Sequence, residues 1–348
     1  MKLKIFILGL VAAFIAVSCH PFGRKQEFSV FQLNLWHGGT CVPDGGRVVL
    51  ELLDEMDADV VLLCEIKDPA SFLPALIDSL AGRGKVYYGG SNGVSTGLLS
   101  RFPLENITKC CIVPGDENRA MLKATADVYG RKVTFYSCHL DYRHYECYMP
   151  RGYDGTSWTK MDAPVTDPEM ILAANRISYR DESIMAFVED ASAEIAKGHH
   201  VILGGDFNEP SHLDWQENTS ALWDHRGAVV NWDCSLILQE HGFQDAYRAV
   251  YPDAVRNPGF TFPAGNRNVD VKKLAWAPDA DERDRIDFIY FSPSRDLGLK
   301  GITVVGPSGT VMKGEIVENE SDDTFCTPAT VWPTDHKGNM AVFCVGFH

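Results

Sequence analysis

Seven polar side chains in this chain stand at or just after apolar runs. They are Asn34 in QLNLW, Glu65 in VVLLCEIKD, Asp206 and Asn208 in VILGGDFNEP, Asp287 in DRIDFIYF, and Asp335 and His336 in PTDHKGNMAVF. A carboxylate at the end of a buried strand is costly unless something positive replaces its lost water. Acids and amides at several separate strand ends therefore point to a shared centre. Hard oxygen donors with one imidazole suit a cation such as Mg²⁺ and, with it, the attack of water on a phosphate ester. Taken singly, each group has a plainer use. Asp and Asn close Asx-turns, Glu caps or forms salt bridges, and an Asp-His pair can lie idle on a surface.

The apolar runs that carry these groups predict strands over 28–36, 59–64, 94–100, 120–128, 132–140, 200–204, 286–291, 301–305 and 340–347. Several are apolar nearly throughout, as in strands covered on both faces. Between them, 3.6-residue patterns predict helices over 47–56 and 70–80, a long one over 168–197, and a short one over 235–241. The alternation is irregular, with paired strands as well as strand–helix units. It suggests sheets packed face to face with helices outside rather than a regular Rossmann or barrel repeat. One domain over 27–348 is expected, with 20–26 as a short tether.

The chain has 348 residues, 45% hydrophobic and 23% charged, enough for a full globular core. Its formal net charge is −15. An acidic surplus disfavours a dedicated duplex-DNA binder, which needs Lys and Arg on phosphates. Residues 1–19 read as a signal peptide: Lys2 and Lys4, an apolar stretch over 5–17 too short to span a bilayer, and Ala16-Val17-Ser18-Cys19, which resembles a bacterial lipobox. The expectation is export with lipid anchoring at Cys19 in the cell envelope, the N-terminal lipid being the one membrane contact of a monomer. Nine further cysteines lack zinc spacing. Cys64 and Cys138 fall inside core strands and are expected to be free thiols, while the pairing of the others stays open.

In this order, the islands resemble the endonuclease/exonuclease/phosphatase superfamily, whose members include DNase I-like nucleases, inositol-polyphosphate 5-phosphatases and bacterial sphingomyelinases. GDFN, the strand-end Glu, the RIDFI-like run and the C-terminal Asp-His carry the resemblance together. It implies an α/β fold, a four-layer α/β sandwich with two packed mixed β-sheets flanked by helices. It implies Glu65 as the principal Mg²⁺ ligand (Mn²⁺ or Ca²⁺ being alternatives), with Asn34 as amide partner and Asp335 as a second acidic ligand, direct or through water. Asp206 is then expected to deprotonate the attacking water, and Asn208 and His139, in VTFYSCHLDY, to donate to phosphate oxygens. Asp287 would fix the tautomer of His336. Some relatives carry an acid two residues after the first Asn; this chain has Trp36 there.

The segment YRHYECYMPRGYDG and the nearby TSWTKM follow the His139 strand and are rich in aromatics. With His37 and Trp215, Tyr148 is expected to line a pocket for a sugar, inositol or nucleoside group, and Arg151 to hold a phosphate. Loop packing is the alternative use of these aromatics. The expected activity is hydrolysis of a small phosphodiester or phosphomonoester of sugar, inositol or lipid-headgroup type. A nonspecific extracellular nuclease and a non-catalytic binding lipoprotein of the same fold are the rivals.

Overall fold

In the computed structural model, residues 25–346 are described. The expected signal peptide, Cys19 and most of the tether lie outside the described residues. In chain order, β1 (Gln26–Asn34) precedes α1 (Gly45–Met56), β2 (Val60–Cys64) and α2 (Pro69–Ala81). Five strands follow: β3 (Tyr88–Ser91), β4 (Gly97–Ser100), β5 (Leu104–Cys110), β6 (Met121–Val128) and β7 (Arg131–His139). After a long loop come α3 (Pro168–Asn175), α4 (Arg180–Ala196), β8 (His200–Asp206) and α5 (Asp233–Glu240). The remainder holds β9 (Gln244–Asp245), α6 (Ala246–Val250), β10 (Asp287–Phe291), β11 (Leu297–Val305), β12 (Thr310–Met312), β13 (Glu315–Val317), β14 (Phe325–Cys326) and β15 (Gly338–Val345).

Two large mixed sheets form from these strands. One is ordered β14-β11-β15-β1-β2-β4-β3 and the other β5-β6-β7-β8-β10-β9. They pack face to face over Phe28, Val30, Leu62, Phe135, Ile202, Ile289, Ala341 and Phe343. Helices α1 and α2 cover the outer face of the first sheet through Val49, Leu52, Leu73 and Leu76 against Phe31, Leu33 and Leu63. Helices α4 and α5 cover the second through Ile184, Phe187 and Leu238 against Tyr136, Val201 and Leu203. The result is the expected four-layer sandwich. Each such side chain contributes roughly 1.5–3 kcal/mol on burial, so both faces of both sheets are strongly specified.

The period-2 alternation of the strands decides where the polar groups point. In β1, Phe28 and Val30 face the second sheet; Gln32 and Asn34, on the same face, therefore also point between the sheets. In β7, Val133 and Phe135 set the same face for Ser137 and His139. In β8, Ile202 sets it for Gly204 and Asp206, and in β10, Ile289 and Phe291 set it for Asp287. The interlayer thus changes from apolar to polar at one edge.

One strand start, two unexpected strands and one helix differ from expectation. The run expected from residue 94 begins as a turn, because Asn92 Oδ1 accepts from the amides of Val94, Ser95 and Thr96. Strand β3 and the exposed β5 carry no apolar signal. The single helix over 168–197 is two helices. Arg180 is buried at the break, donating to the carbonyls of Asp141 and Arg143 at 2.7 and 2.8 Å and pairing with Glu209 at 3.4 Å. All nine described cysteines are free thiols; Cys110 and Cys111 lie with their sulfurs 3.5 Å apart. Among the described residues, no helix is long and apolar enough to cross a membrane.

Candidate active site

Strand register brings the polar groups together. Asn34 pairs in register with Cys64, which places Glu65 beside it. In the other sheet Asp206 stands in register with both His139 on β7 and Asp287 on β10. Gly205 permits that close pairing: a Cβ there would meet the Cys138 carbonyl oxygen at 2.0 Å.

Asn34 links the two sheets. Its Nδ2 donates to Asp206 Oδ2 at 2.9 Å and to Glu65 Oε1 at 3.2 Å, and its Oδ1 accepts from the Trp36 amide. Glu65 Oε2 accepts from the His37 amide at 3.1 Å. Trp36, His37, Glu65 and Asn208 all have left-handed backbones, with φ of 45°, 57°, 54° and 49°. Non-glycine residues rarely adopt that region, and such conformations gather at functional sites.

On the far side, His336 Nδ1 lies 2.9 Å from Asp287 Oδ2, and Asp287 Oδ1 accepts from Gln32 Nε2 at 3.0 Å. The imidazole packs against Phe262 with centroids 4.9 Å apart. Its Nε2 faces Asp335 Oδ1 at 3.8 Å and Asp206 Oδ2 at 3.9 Å. His139 Nε2 faces Glu65 Oε1 at 3.6 Å and Asp206 Oδ2 at 3.9 Å. Asn208 donates its backbone N–H to Asp206 Oδ1 and its side-chain amide to the Leu140 carbonyl.

Electrostatics follow from this crowding of acids under low dielectric. Burial first, then repulsion by Asp287, pushes Asp206 up to about 7. Burial also pushes Asp335 up to about 7, with Glu65 adding to the effect. Glu65 is raised by burial but more than compensated by His139 and His336, and ends below the usual carboxylate value. Burial opposes charge on His336, yet Asp287 and Asp335 hold it well above its ordinary value. Burial lowers His139 to about 4; Glu65 opposes this and Arg119 reinforces it.

The donor chemistry fits a divalent cation. Glu65 lies with His139 and Asp206 in one group whose ligand atoms are within 4.8 Å of one another, and Asp206, Asp287 and His336 form a second. Glu65 and Asp335 present hard oxygens to the same cavity. Asn34 departs from expectation: its amide NH₂, not its oxygen, faces the acids, so ligation by Asn34 requires the amide to turn over.

The site floors a cavity of about 420 Å³ walled by Trp36, Tyr142, Tyr145, Tyr148, Trp158 and Trp276. Of the residues expected to touch substrate, His37 and Tyr148 line this cavity. The Tyr148 hydroxyl donates to buried Glu282 at 2.9 Å, leaving its ring to the wall. Two expectations are corrected. Arg151 is buried behind the wall, paired at 2.5 Å with Asp284, because a guanidinium between the Tyr148 and Trp215 rings has no path to solvent. Trp215 is also buried, stacked 3.6 Å from His225 with its Nε1 on Asp284. Both hold the wall and neither lines the cavity. Two residues escaped the sequence reading. Trp276 lies in a loop without periodicity, and Arg119, 3.1 Å from His139 Nδ1, sits in a short 3₁₀ turn.

A family model described as "Endonuclease/Exonuclease/phosphatase family" matches residues 31–336. An uncharacterised protein of Caenorhabditis elegans is 26% identical over 275 residues, covering 78% of this chain and 80% of its own. The crystal structure of truncated Caenorhabditis elegans TDP2 is similar with a TM-score of 0.52 at 18% identity, covering 91% of this chain and 97% of that one. An endonuclease/exonuclease/phosphatase structure from Bacteroides vulgatus gives 0.52 at 13% identity, covering 92% and 100%. The structural likenesses are of fold.

Proposed function

Because the chain belongs to the endonuclease/exonuclease/phosphatase family, whose members are hydrolytic phosphoesterases, we propose that it is a Mg²⁺-dependent hydrolase of a small phosphodiester or phosphomonoester. The observation that carries this reading is the juxtaposition of Glu65, Asp206, Asn208, Asp335 and His336 at the floor of a cavity with an aromatic wall, with His139 beside Glu65 and Asp206. A cavity of that size takes a sugar, inositol or nucleoside group, which stacks on aromatic faces.

Asp206 is the base. Its carboxyl titrates near neutrality and lies beside both histidines, so it can accept a proton from a water aimed at phosphorus. His139 and Asn208 donate to the phosphoryl oxygens as their charge grows. Asp287 holds His336 through Nδ1, which leaves Nε2 turned toward the reacting centre, charged and able to assist the leaving oxygen. Glu65 and Asp335 would hold the cation. Bound there, a divalent ion supplies charge neutralisation at the phosphoryl oxygens; Mn²⁺ or Ca²⁺ suits the same oxygens. His37 and Tyr148 contribute to substrate binding from the cavity wall. Export and lipid anchoring at Cys19, with a monomeric domain beyond, complete the proposal.

The test is a metal titration after exhaustive chelation, with bis(p-nitrophenyl) phosphate and p-nitrophenyl phosphate as alternative substrates. Turnover of either that returns with Mg²⁺ supports the reading, and the ratio of the two rates assigns diester or monoester preference. Metal-independent turnover, or none with either substrate, counts against it.

A further inference from the structure

A second cleft of about 740 Å³ opens on the other side of Glu65. It shares His37, Glu65 and Tyr142 with the aromatic cavity, so the reacting centre lies between the two. The walls differ in chemistry. The second cleft has few aromatics and is lined by Lys67, Ser95, Asn118 and Arg119 together with His139. Arg119 stacks over Tyr142 at 5.3 Å, which points its guanidinium along the cleft beside His139.

The charge on these two side chains is available. Around the site, Arg143, Arg151, Arg180, Arg283 and Arg285 are each tied to a carboxylate. Neither Arg119 nor Lys67 forms an ion pair among the described residues, although the chain carries a net charge of −15. Asp68, also in the cleft, accepts from the Ser71 hydroxyl at the start of α2. Two cations without an ion pair in an acidic protein, both opening on the cleft next to the phosphate site and one of them already hydrogen-bonded to His139, call for an anion. A guanidinium binds phosphate or carboxylate through paired donors, and lysine adds a point charge.

We propose that the substrate carries a second anionic group beyond the scissile phosphorus, on the side opposite its ring-bearing limb, and that Arg119 and Lys67 bind that group. Phosphoanhydrides and phosphodiesters with an anionic second limb have this arrangement; simple monoesters lack it. The inference rests on the phosphoesterase reading and narrows it to a substrate class. Arg119 is thereby a specificity-determining residue.

The experiment is isothermal titration of the Asp206→Asn protein in saturating Mg²⁺ with adenosine 5′-monophosphate and adenosine 5′-diphosphate. The two differ only in the second anionic group. Charge-assisted contacts to that group should make the diphosphate bind about tenfold tighter or more. Arg119→Ala in that background should weaken the diphosphate alone, Arg119→Lys should recover part of the difference, and Lys67→Ala should remove a smaller part. Circular dichroism of each variant checks folding. Equal affinities with Arg119 present, or no binding of either nucleotide, would overturn the proposal. So would an Arg119→Ala that weakens both ligands alike, since Arg119 would then belong to the scissile phosphate. If any of these occurs while the unsubstituted protein still hydrolyses bis(p-nitrophenyl) phosphate with Mg²⁺, the phosphoesterase reading stands. Absence of hydrolysis of both bis(p-nitrophenyl) phosphate and p-nitrophenyl phosphate would sink the reading itself.

Discussion

His336 shows how one side chain's chemistry is set by its neighbours. Its Nδ1 is held by Asp287, whose other oxygen is held by Gln32, and its ring is backed by Phe262. The carboxylates keep the imidazole charged well above its ordinary range. Asp287→Asn preserves the shape but removes the charge that orients and stabilises the imidazolium. The expected result is a fall in kcat of about 10²–10⁴, the scale of losing one positioned acid–base partner, with KM little changed. The sign of the pH effect follows too. If His336 acts as a cation, activity is lost as pH rises through its pKa; lowering that pKa moves the alkaline limb of the rate profile to lower pH. A variant with an unmoved limb would remove His336 from the titrating machinery. At this scale the sequence misled in two places. Arg151 lies in the same stretch as the wall residues Tyr145 and Tyr148, and Trp215 follows the GDFN turn; whether such a side chain faces the cavity or the layer behind it depends on loop packing, which spacing does not encode.

At the scale of elements, each inner strand is an apolar face that ends in a polar group, and that pattern was legible. Asn34, His139, Asp206 and Asp287 keep the parity of the apolar residues before them, so a correct strand assignment already points them into one interlayer. The helix pair α3–α4 was not legible as two. Its apolar stripe runs on, and the break is marked by Arg180, whose partners Asp141, Arg143 and Glu209 lie 29–39 residues away in the chain. This arginine ties the α3–α4 junction to the start of the loop that carries Tyr142. Arg180→Met therefore leaves buried Glu209 without its cation and the carbonyls of Asp141, Arg143 and His144 without their donor. Removing one partner of a buried ion pair costs about 3–5 kcal/mol, and urea denaturation should show a loss of that size. A change within 1 kcal/mol would mean that Arg180 is not what fixes the junction.

On the scale of the whole molecule, the fold puts polar side chains where solvent cannot follow, and stability becomes pH-dependent. His225 is buried against Trp215. Burial, reinforced by the charge of Arg151, lowers it to about 2. An unfolded histidine titrates near ~6.5. Below that pH the unfolded chain binds a proton that the native chain refuses, so this contribution is present above ~6.5 and is lost as pH falls toward 2. By pH 5 the loss from this group is about 2 kcal/mol. In His225→Gln, the difference between stabilities at pH 7 and pH 5 should shrink by that amount; an unchanged difference would show that other groups govern acid sensitivity. The same architecture bears on function, because the two sheets and four layers frame the proposed phosphate site between them. The most direct measurement is Mg²⁺-dependent hydrolysis of bis(p-nitrophenyl) phosphate by protein lacking residues 1–19, run beside Asp206→Asn. The account predicts turnover that requires the metal and falls by about 10³-fold or more in the variant, as expected for loss of a general base with its supporting contacts. Turnover that survives in Asp206→Asn at the same rate would contradict it.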